Sequence, residues 1–155
     1  MKLQRVYIDT SVIGGCFDSE FERWSNQLMV DFEQGRLKPV VSDIIAAEIY
    51  EGFERIQEQY QKLLSWNPDI LSVTTEAVEL ADAYQKQGIL TPKYYDDGLH
   101  IALATIAEVD VLVSWNFKHI VQFFKIRQFN AINLSLGYKP IQIFSPREVS
   151  TYEEE

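Results

Sequence analysis

Arg5-Val6-Tyr7-Ile8-Asp9 decides how the rest of the chain is read. A short β-branched and aromatic run closes on a carboxylate, the pattern of a buried strand that ends at Asp9. Working outward, four more runs have the same character: Pro39-Val40-Val41-Ser42, Ile70-Leu71-Ser72-Val73, Val111-Leu112-Val113-Ser114 and Ile141-Gln142-Ile143-Phe144. Helical stretches lie between them. One runs from Glu20 to Gln34 and is stopped by Gly35; a second, from Ile44 to Tyr50, is capped by Ser42 or Asp43; a third covers Glu54 to Leu64 after Gly52. A fourth starts at Thr74 or Thr75, reaches Gln87 and ends at Gly88, and after the Thr91-Pro92 loop a strongly apolar one spans Tyr95 to Ala107. Ser145-Pro146-Arg147-Glu148 is a helix start, with a capping Ser, Pro at the first helical position and Glu three residues after the cap. Strands alternating with helices imply an α/β fold: a parallel sheet covered on both faces.

The 155 residues, 46% hydrophobic and 24% charged, fit one domain spanning 1–150, followed by an acidic tail, 151–155, that is expected to fray. A net charge of −9 argues against holding nucleic acid by global attraction, but not against an enzyme whose bound cations supply positive charge. From Val111 to Arg147 there is no acid, while Lys118, Lys125, Arg127, Lys139 and Arg147 are basic; this is either a phosphate-facing segment or an ordinary solvated surface. Cys16 is the only cysteine, so no intramolecular disulfide forms, which fits a reducing cytoplasm. Val12 to Cys16 superficially looks like a lipoprotein cleavage site, but Asp9 interrupts the apolar stretch that a signal peptide needs. No window approaches the ~20 apolar residues of a membrane span.

In open α/β sheets chemistry gathers beyond the carboxyl ends of the strands, where the strand order reverses. Asp9 follows the first strand and Asn116 the fourth. Glu48 is an acid inside the apolar stretch Ile44-Ile45-Ala46-Ala47-Glu48-Ile49; it either reaches the crevice or lies on the polar side of its helix. Asp96 and Asp97 open a helix that is otherwise nearly all apolar, and capping requires only one of them. Thr10 and Ser11 are expected to bond locally where the chain leaves the first strand, and no motif pairs them or Cys16 with an activating base. His100 is expected to pack beneath the site, since no Cys/His ligand set accompanies it.

Four segments carry a family resemblance: Tyr7-Ile8-Asp9-Thr10-Ser11, Ala47-Glu48-Ile49, Asp97-Gly98-Leu99-His100-Ile101-Ala102, and Val113-Ser114-Trp115-Asn116-Phe117-Lys118-His119. Their order and separations resemble the PIN domain, including the VapC-like toxins. The resemblance implies a three-layer fold with a five-stranded parallel sheet of order 3-2-1-4-5, and Mg²⁺- or Mn²⁺-dependent cleavage of RNA leaving a 5′-phosphate and a 3′-hydroxyl. It implies Asp9, Glu48 and Asp97 as the metal-binding and catalytic acids. The family's fourth acid falls on Asn116, whose amide oxygen can ligate or orient water but brings no charge. Adjacent Asp96 compensates only in part, because successive helical residues point about 100° apart. Ser114 is expected to orient water or phosphate and Thr10 to support the site. Lys118, His119, Lys125 and Arg127 are expected to contact the RNA backbone. Trp115 and Phe117 either stack on unpaired bases or pack in the core. A cognate antitoxin and a homodimer are implied as partners.

Two rivals remain at this level. An Asp after the first strand also resembles haloacid-dehalogenase-like phosphatases, but their second Asp is Ser11 here. The other is a catalytically impaired PIN fold that serves as an RNA- or partner-binding module, which Asn116 would favour.

Overall fold

The computed structural model describes residues 2–50 and 52–151. The five strands are β1 (Arg5–Ile8), β2 (Lys38–Ser42), β3 (Asp69–Leu71), β4 (Val111–Val113) and β5 (Ile143–Phe144). All pair in parallel, in the order β3-β2-β1-β4-β5, as the resemblance implied. The order reverses between β1 and β4, whose register sets Ile8 opposite Val113. Asp9 and Ser114 therefore leave the sheet side by side.

Because adjacent strand residues face opposite ways, β1 feeds two cores. Tyr7 joins Val40, Leu112 and Ile143 under α5 (Thr75–Lys86), α6 (Tyr95–Ile106) and α7 (Phe123–Ser135). Val6 and Ile8 join Val41 and Val113 under α1 (Thr10–Gly15), α2 (Glu22–Glu33) and α4 (Glu54–Leu64). Helix α3 (Asp43–Ile49) contributes Ile44 to the first core and Ile45 and Ile49 to the second. The last helix, α8 (Pro146–Val149), starts with the capping box read from Ser145 and Glu148.

The sequence carries no local sign of two helices. In α7 apolar residues run all the way round, with Phe129 fully buried and Phe123, Phe124 and Leu134 exposed, so no single stripe marks it. What holds it is tertiary: Asn133 accepts from the Tyr84 hydroxyl and donates to Thr105 at 3.3 Å. Helix α1 is six residues long and includes two glycines, which local propensity disfavours. Gly15 is required there, because a Cβ would lie 2.5 Å from Ser25 Oγ and 2.6 Å from Trp115 Nε1. The Thr91-Pro92 loop contains a 3₁₀ turn over Pro92–Tyr94. β3 and β5 are shorter than the sequence suggests.

Thr151, assigned to the tail on sequence grounds, is anchored. Fully buried Asp31 accepts its N–H at 2.9 Å and its hydroxyl at 2.5 Å, and takes the Arg36 guanidinium at 2.9 Å. The rest of the expected tail, 152–155, lies outside the described residues. Among the described residues, no helix is long and apolar enough to cross a membrane.

Candidate functional site

Asp9 is 4% exposed, and both of its carboxylate oxygens are held. The Ser11 hydroxyl donates to Oδ1 and the Ser114 hydroxyl to Oδ2, each at 2.6 Å. Each serine in turn accepts a backbone N–H from the loop after β4, Ser11 from Trp115 and Ser114 from Asn116, both at 2.9 Å. Asp9 is thus locked to that loop. Ser114, fully buried, spends its hydroxyl on Asp9 rather than on water or phosphate. Thr10 plays no such part: its Oγ1 is buried without a hydrogen-bond partner in the structure.

Asp97 stands in the first turn of α6, half-buried, beside exposed Asp96; neither is the cap residue, which is Tyr94. Asn116 donates its side-chain N–H to Asp97 Oδ2 at 3.3 Å. Its oxygen accepts the backbone N–H groups of Lys118 at 3.2 Å and His119 at 2.9 Å. That oxygen, expected to face an ion or water, instead shapes the loop, and the amide presents its donor to the neighbouring carboxylate. The orientation is chemically forced, since a flip would set oxygen against carboxylate and NH₂ against two N–H donors.

Glu48 reaches the crevice although its side chain remains 36% exposed. His100 Nε2 lies 2.7 Å from Glu48 Oε1, and Nδ1 lies 2.6 Å from the Tyr7 hydroxyl, itself 2.8 Å from Ser42 Oγ. A carboxylate only accepts, so Nε2 carries the proton. This buried chain of Ser42, Tyr7 and His100, rooted in β2, β1 and α6, escaped the sequence reading except for the position of His100. Its signal was a phenol in an otherwise apolar strand, which must find a partner when buried.

The electrostatics report convergence. Burial raises Asp97 to about 6; His100 opposes this, and Asp9, Glu48 and Asp96 add to it. Burial also raises Asp9, against His100, Ser11 and Ser114, and with a contribution from Glu48. For His100, burial lowers the pKa, but the Glu48 hydrogen bond and the fields of Asp9, Glu48 and Asp97 outweigh it, and the net shift is upward. Asp9, Glu48 and Asp97 therefore lie within one another's electrostatic reach near the switch point of the sheet.

The donors suit a hard divalent cation: carboxylate oxygens with no Cys ligand, and His100 facing inward to Tyr7 and Glu48. Among the described residues no three His, Cys, Asp or Glu side chains form a ready cage. Mg²⁺ does not need one, since it keeps several waters and takes one or two carboxylates. Asp9 has two of about four lone-pair sites filled by hydroxyls, leaving capacity for a cation.

The basic residues separate. Lys125 is spent on the Ile89 carbonyl. His119 packs over Tyr94 with ring centres 3.8 Å apart, its pKa lowered by burial and by Lys118 and Lys125. Arg127 lies over Phe123 at 5.6 Å, and Lys118 is exposed. Lys139 faces Glu108 at 3.7 Å, and Arg147 lies over Trp24. Trp115 is core, 7% exposed and stacked on Phe21 at 4.1 Å, whereas Phe117 is half exposed.

No protein-family model matches the chain, and no curated protein matches it by sequence. Its fold, however, resembles solved structures. A chain of the VapBC2 complex from Rickettsia felis bound to a DNA fragment from their promoter aligns with a TM-score of 0.59 at 14% identity, over 92% of this chain and 98% of that one. A chain of a toxin–antitoxin complex from Klebsiella pneumoniae aligns with a TM-score of 0.55 at 17% identity, over 74% and 88%. Together with the strand order, these likenesses show that the chain has the PIN-like α/β fold of such toxin–antitoxin structures.

Proposed function

We propose that the chain is a Mg²⁺- or Mn²⁺-dependent endoribonuclease, the toxin of a toxin–antitoxin pair, with a cognate antitoxin as partner and a homodimeric state. The observation that carries this reading is the hydrogen-bonded linkage of three carboxylates beyond the strand ends: Ser114 bonds Asp9 and the Asn116 N–H, Asn116 bonds Asp97, and Glu48 is held by His100. In keeping with it, burial and the fields of Asp9, Glu48 and Asp96 push Asp97 up to about 6. Carboxylates crowded in this way destabilise one another and favour a bound cation. The likeness to VapBC and toxin–antitoxin structures supports the biological setting.

In this reading Asp9 and Asp97 would hold the ion, with Glu48 completing the set directly or through water. The bound ion would supply an activated water and neutralise charge at the scissile phosphate. Ser11 and Ser114 fix Asp9 so that it need not reorganise during the reaction. Glu48 Oε1 is occupied by His100, while Oε2 has no partner among the described residues and can take a proton from the attacking water. Hydroxide adds to phosphorus, the bond to O3′ breaks and O3′ is protonated, giving 5′-phosphate and 3′-hydroxyl ends. Asn116 steadies Asp97 and the loop that follows β4.

The test is cleavage of RNA with added Mg²⁺ or Mn²⁺ by the unsubstituted chain, by Asp9→Ala and by Asp97→Ala. Activity should vanish in both variants, and cleavage surviving both would sink the reading. A second reading, a PIN-like RNA- or partner-binding module without catalysis, is favoured by the commitment of the Asn116 oxygen to backbone. Calorimetry separates the two: the nuclease binds Mg²⁺ or Mn²⁺ and loses that binding with Asp97→Ala, whereas the module binds neither.

A further inference from the structure

We propose that Arg23, Trp24 and Arg147 form a binding site for single-stranded RNA flanking the bond to be cut, an inference that rests on the ribonuclease reading above. α2 and α8 pack against each other and flank an open hollow of about 420 Å³, lined by these three residues and Glu148. The Arg147 guanidinium lies 5.2 Å from the centre of the Trp24 ring and that of Arg23 lies 5.8 Å from it. Neither arginine has a carboxylate partner among the described residues. Glu148 also lines the hollow, with its Oε2 turned back onto the N–H and hydroxyl of Ser145 in the α8 cap, so the two guanidiniums outnumber one carboxylate there.

The hollow is tied to the carboxylate site through the packing beneath it. Trp24 lies 6.2 Å from the Trp115 ring, and Trp115 stacks on Phe21 at 4.1 Å. Phe117, half exposed, lies 6.3 Å from Phe21. The backbone N–H of Trp115 is the one that fixes Ser11 against Asp9. Buried Trp115 thus couples the loop beside Asp9 to Trp24, and the surface above it carries exposed Phe117 at one end and the two guanidiniums at the other. Planar guanidiniums bind phosphate in bidentate fashion and stack on bases, while aromatic faces stack on unpaired bases without sequence preference. Such a site would offset the charge of the whole chain. With a net charge of −9 the chain repels RNA overall, and Lys125 is tied to the Ile89 carbonyl.

The experiment measures binding of a fluorescein-labelled 12-nucleotide oligouridylate by anisotropy. All arms carry Asp97→Asn to stop cleavage, and EDTA is present so that monovalent salt alone sets the slope. Adding Arg23→Gln and Arg147→Gln should weaken binding at least tenfold. It should also flatten the plot of log affinity against log salt by about 1.4, since each single-strand phosphate that is no longer neutralised reduces the slope by ~0.7. The oligonucleotide should quench tryptophan fluorescence in the parent. Arg→Lys at both positions should restore the salt slope but not the quench. Matching thermal melts would show that the variants fold. Unchanged affinity and slope in the Gln variant would overturn the inference; if the unsubstituted chain still cleaves RNA with metal, the ribonuclease reading stands without it. A chain that neither cleaves nor binds RNA would overturn both. A poly-glutamate peptide that binds in an arginine-dependent manner, while oligouridylate does not, would assign the hollow to a protein partner and overturn the RNA site.

Discussion

Ser114 donates a 2.6 Å hydrogen bond to Asp9 Oδ2 while accepting one of 2.9 Å from the N–H of Asn116. One buried hydroxyl therefore ties the end of β1 to the loop after β4. Ser114→Ala leaves an acceptor and a donor without their partner, a loss of about 1–3 kcal/mol. Urea unfolding should report a lower midpoint at unchanged slope, and an unmoved midpoint would show that the tie carries no stability.

Asp97 makes stability depend on pH with a definite sign. Its folded pKa of about 6 lies above the ordinary carboxylate value, so the folded state binds the proton more tightly than the unfolded chain does. The ionised group therefore works against the fold. In EDTA, stability should fall as pH rises through about 6 and recover toward pH 4. His100, whose pKa is also raised, acts in the same direction, so Asp97→Asn is the informative comparison. In thermal melts at pH 7.5 the variant should be more stable than the parent in EDTA and should lose the rise that Mg²⁺ gives the parent. A variant less stable than the parent in EDTA would contradict the crowding.

Asn116→Asp replaces a donor to Asp97 with a fourth carboxylate and keeps an oxygen for Lys118 and His119. Each further unit by which Asp97 rises corresponds to about 1.4 kcal/mol. Without divalent ions the variant should melt lower than the parent, and with Mn²⁺ it should gain more stability than the parent does. Equal gains from Mn²⁺ in the two proteins would argue that position 116 lies outside the reach of the ion.

Gly15→Ala drives a methyl group into Ser25 Oγ and Trp115 Nε1, which are themselves hydrogen-bonded at 2.8 Å. Overpacking of this kind costs about 1–3 kcal/mol. The melting temperature should drop and the emission of Trp115 should shift to the red as the displaced indole is opened to water. An unshifted spectrum would mean that α1 yields instead.

The sheet was legible because strand composition and helix caps are local. β1, β2 and the entire α4 follow from apolar runs and from Gly or Ser boundaries. Asp9 and Asp97 could be found as acids set against apolar neighbours. The hydroxyl and imidazole partners could not: Ser42, Tyr7 and His100 meet only when three distant segments pack, and nothing in their spacing encodes that. α7 was hidden for a related reason, since its polar partners, Tyr84 with Asn133, lie inside and several of its apolar residues lie outside. For Asn116 the residue type was visible, but the direction of its amide depends on which backbone donors the loop presents.

Asp31 has a practical consequence for where the chain can be cut. Its carboxylate is satisfied largely by Thr151, through both backbone and side chain. A fragment ending at Ser150 would strand that charge in the interior with Arg36 as its main counterion, so the smallest stable unit has to carry residue 151, and a fusion partner joined there starts from a clamped, not a loose, attachment point.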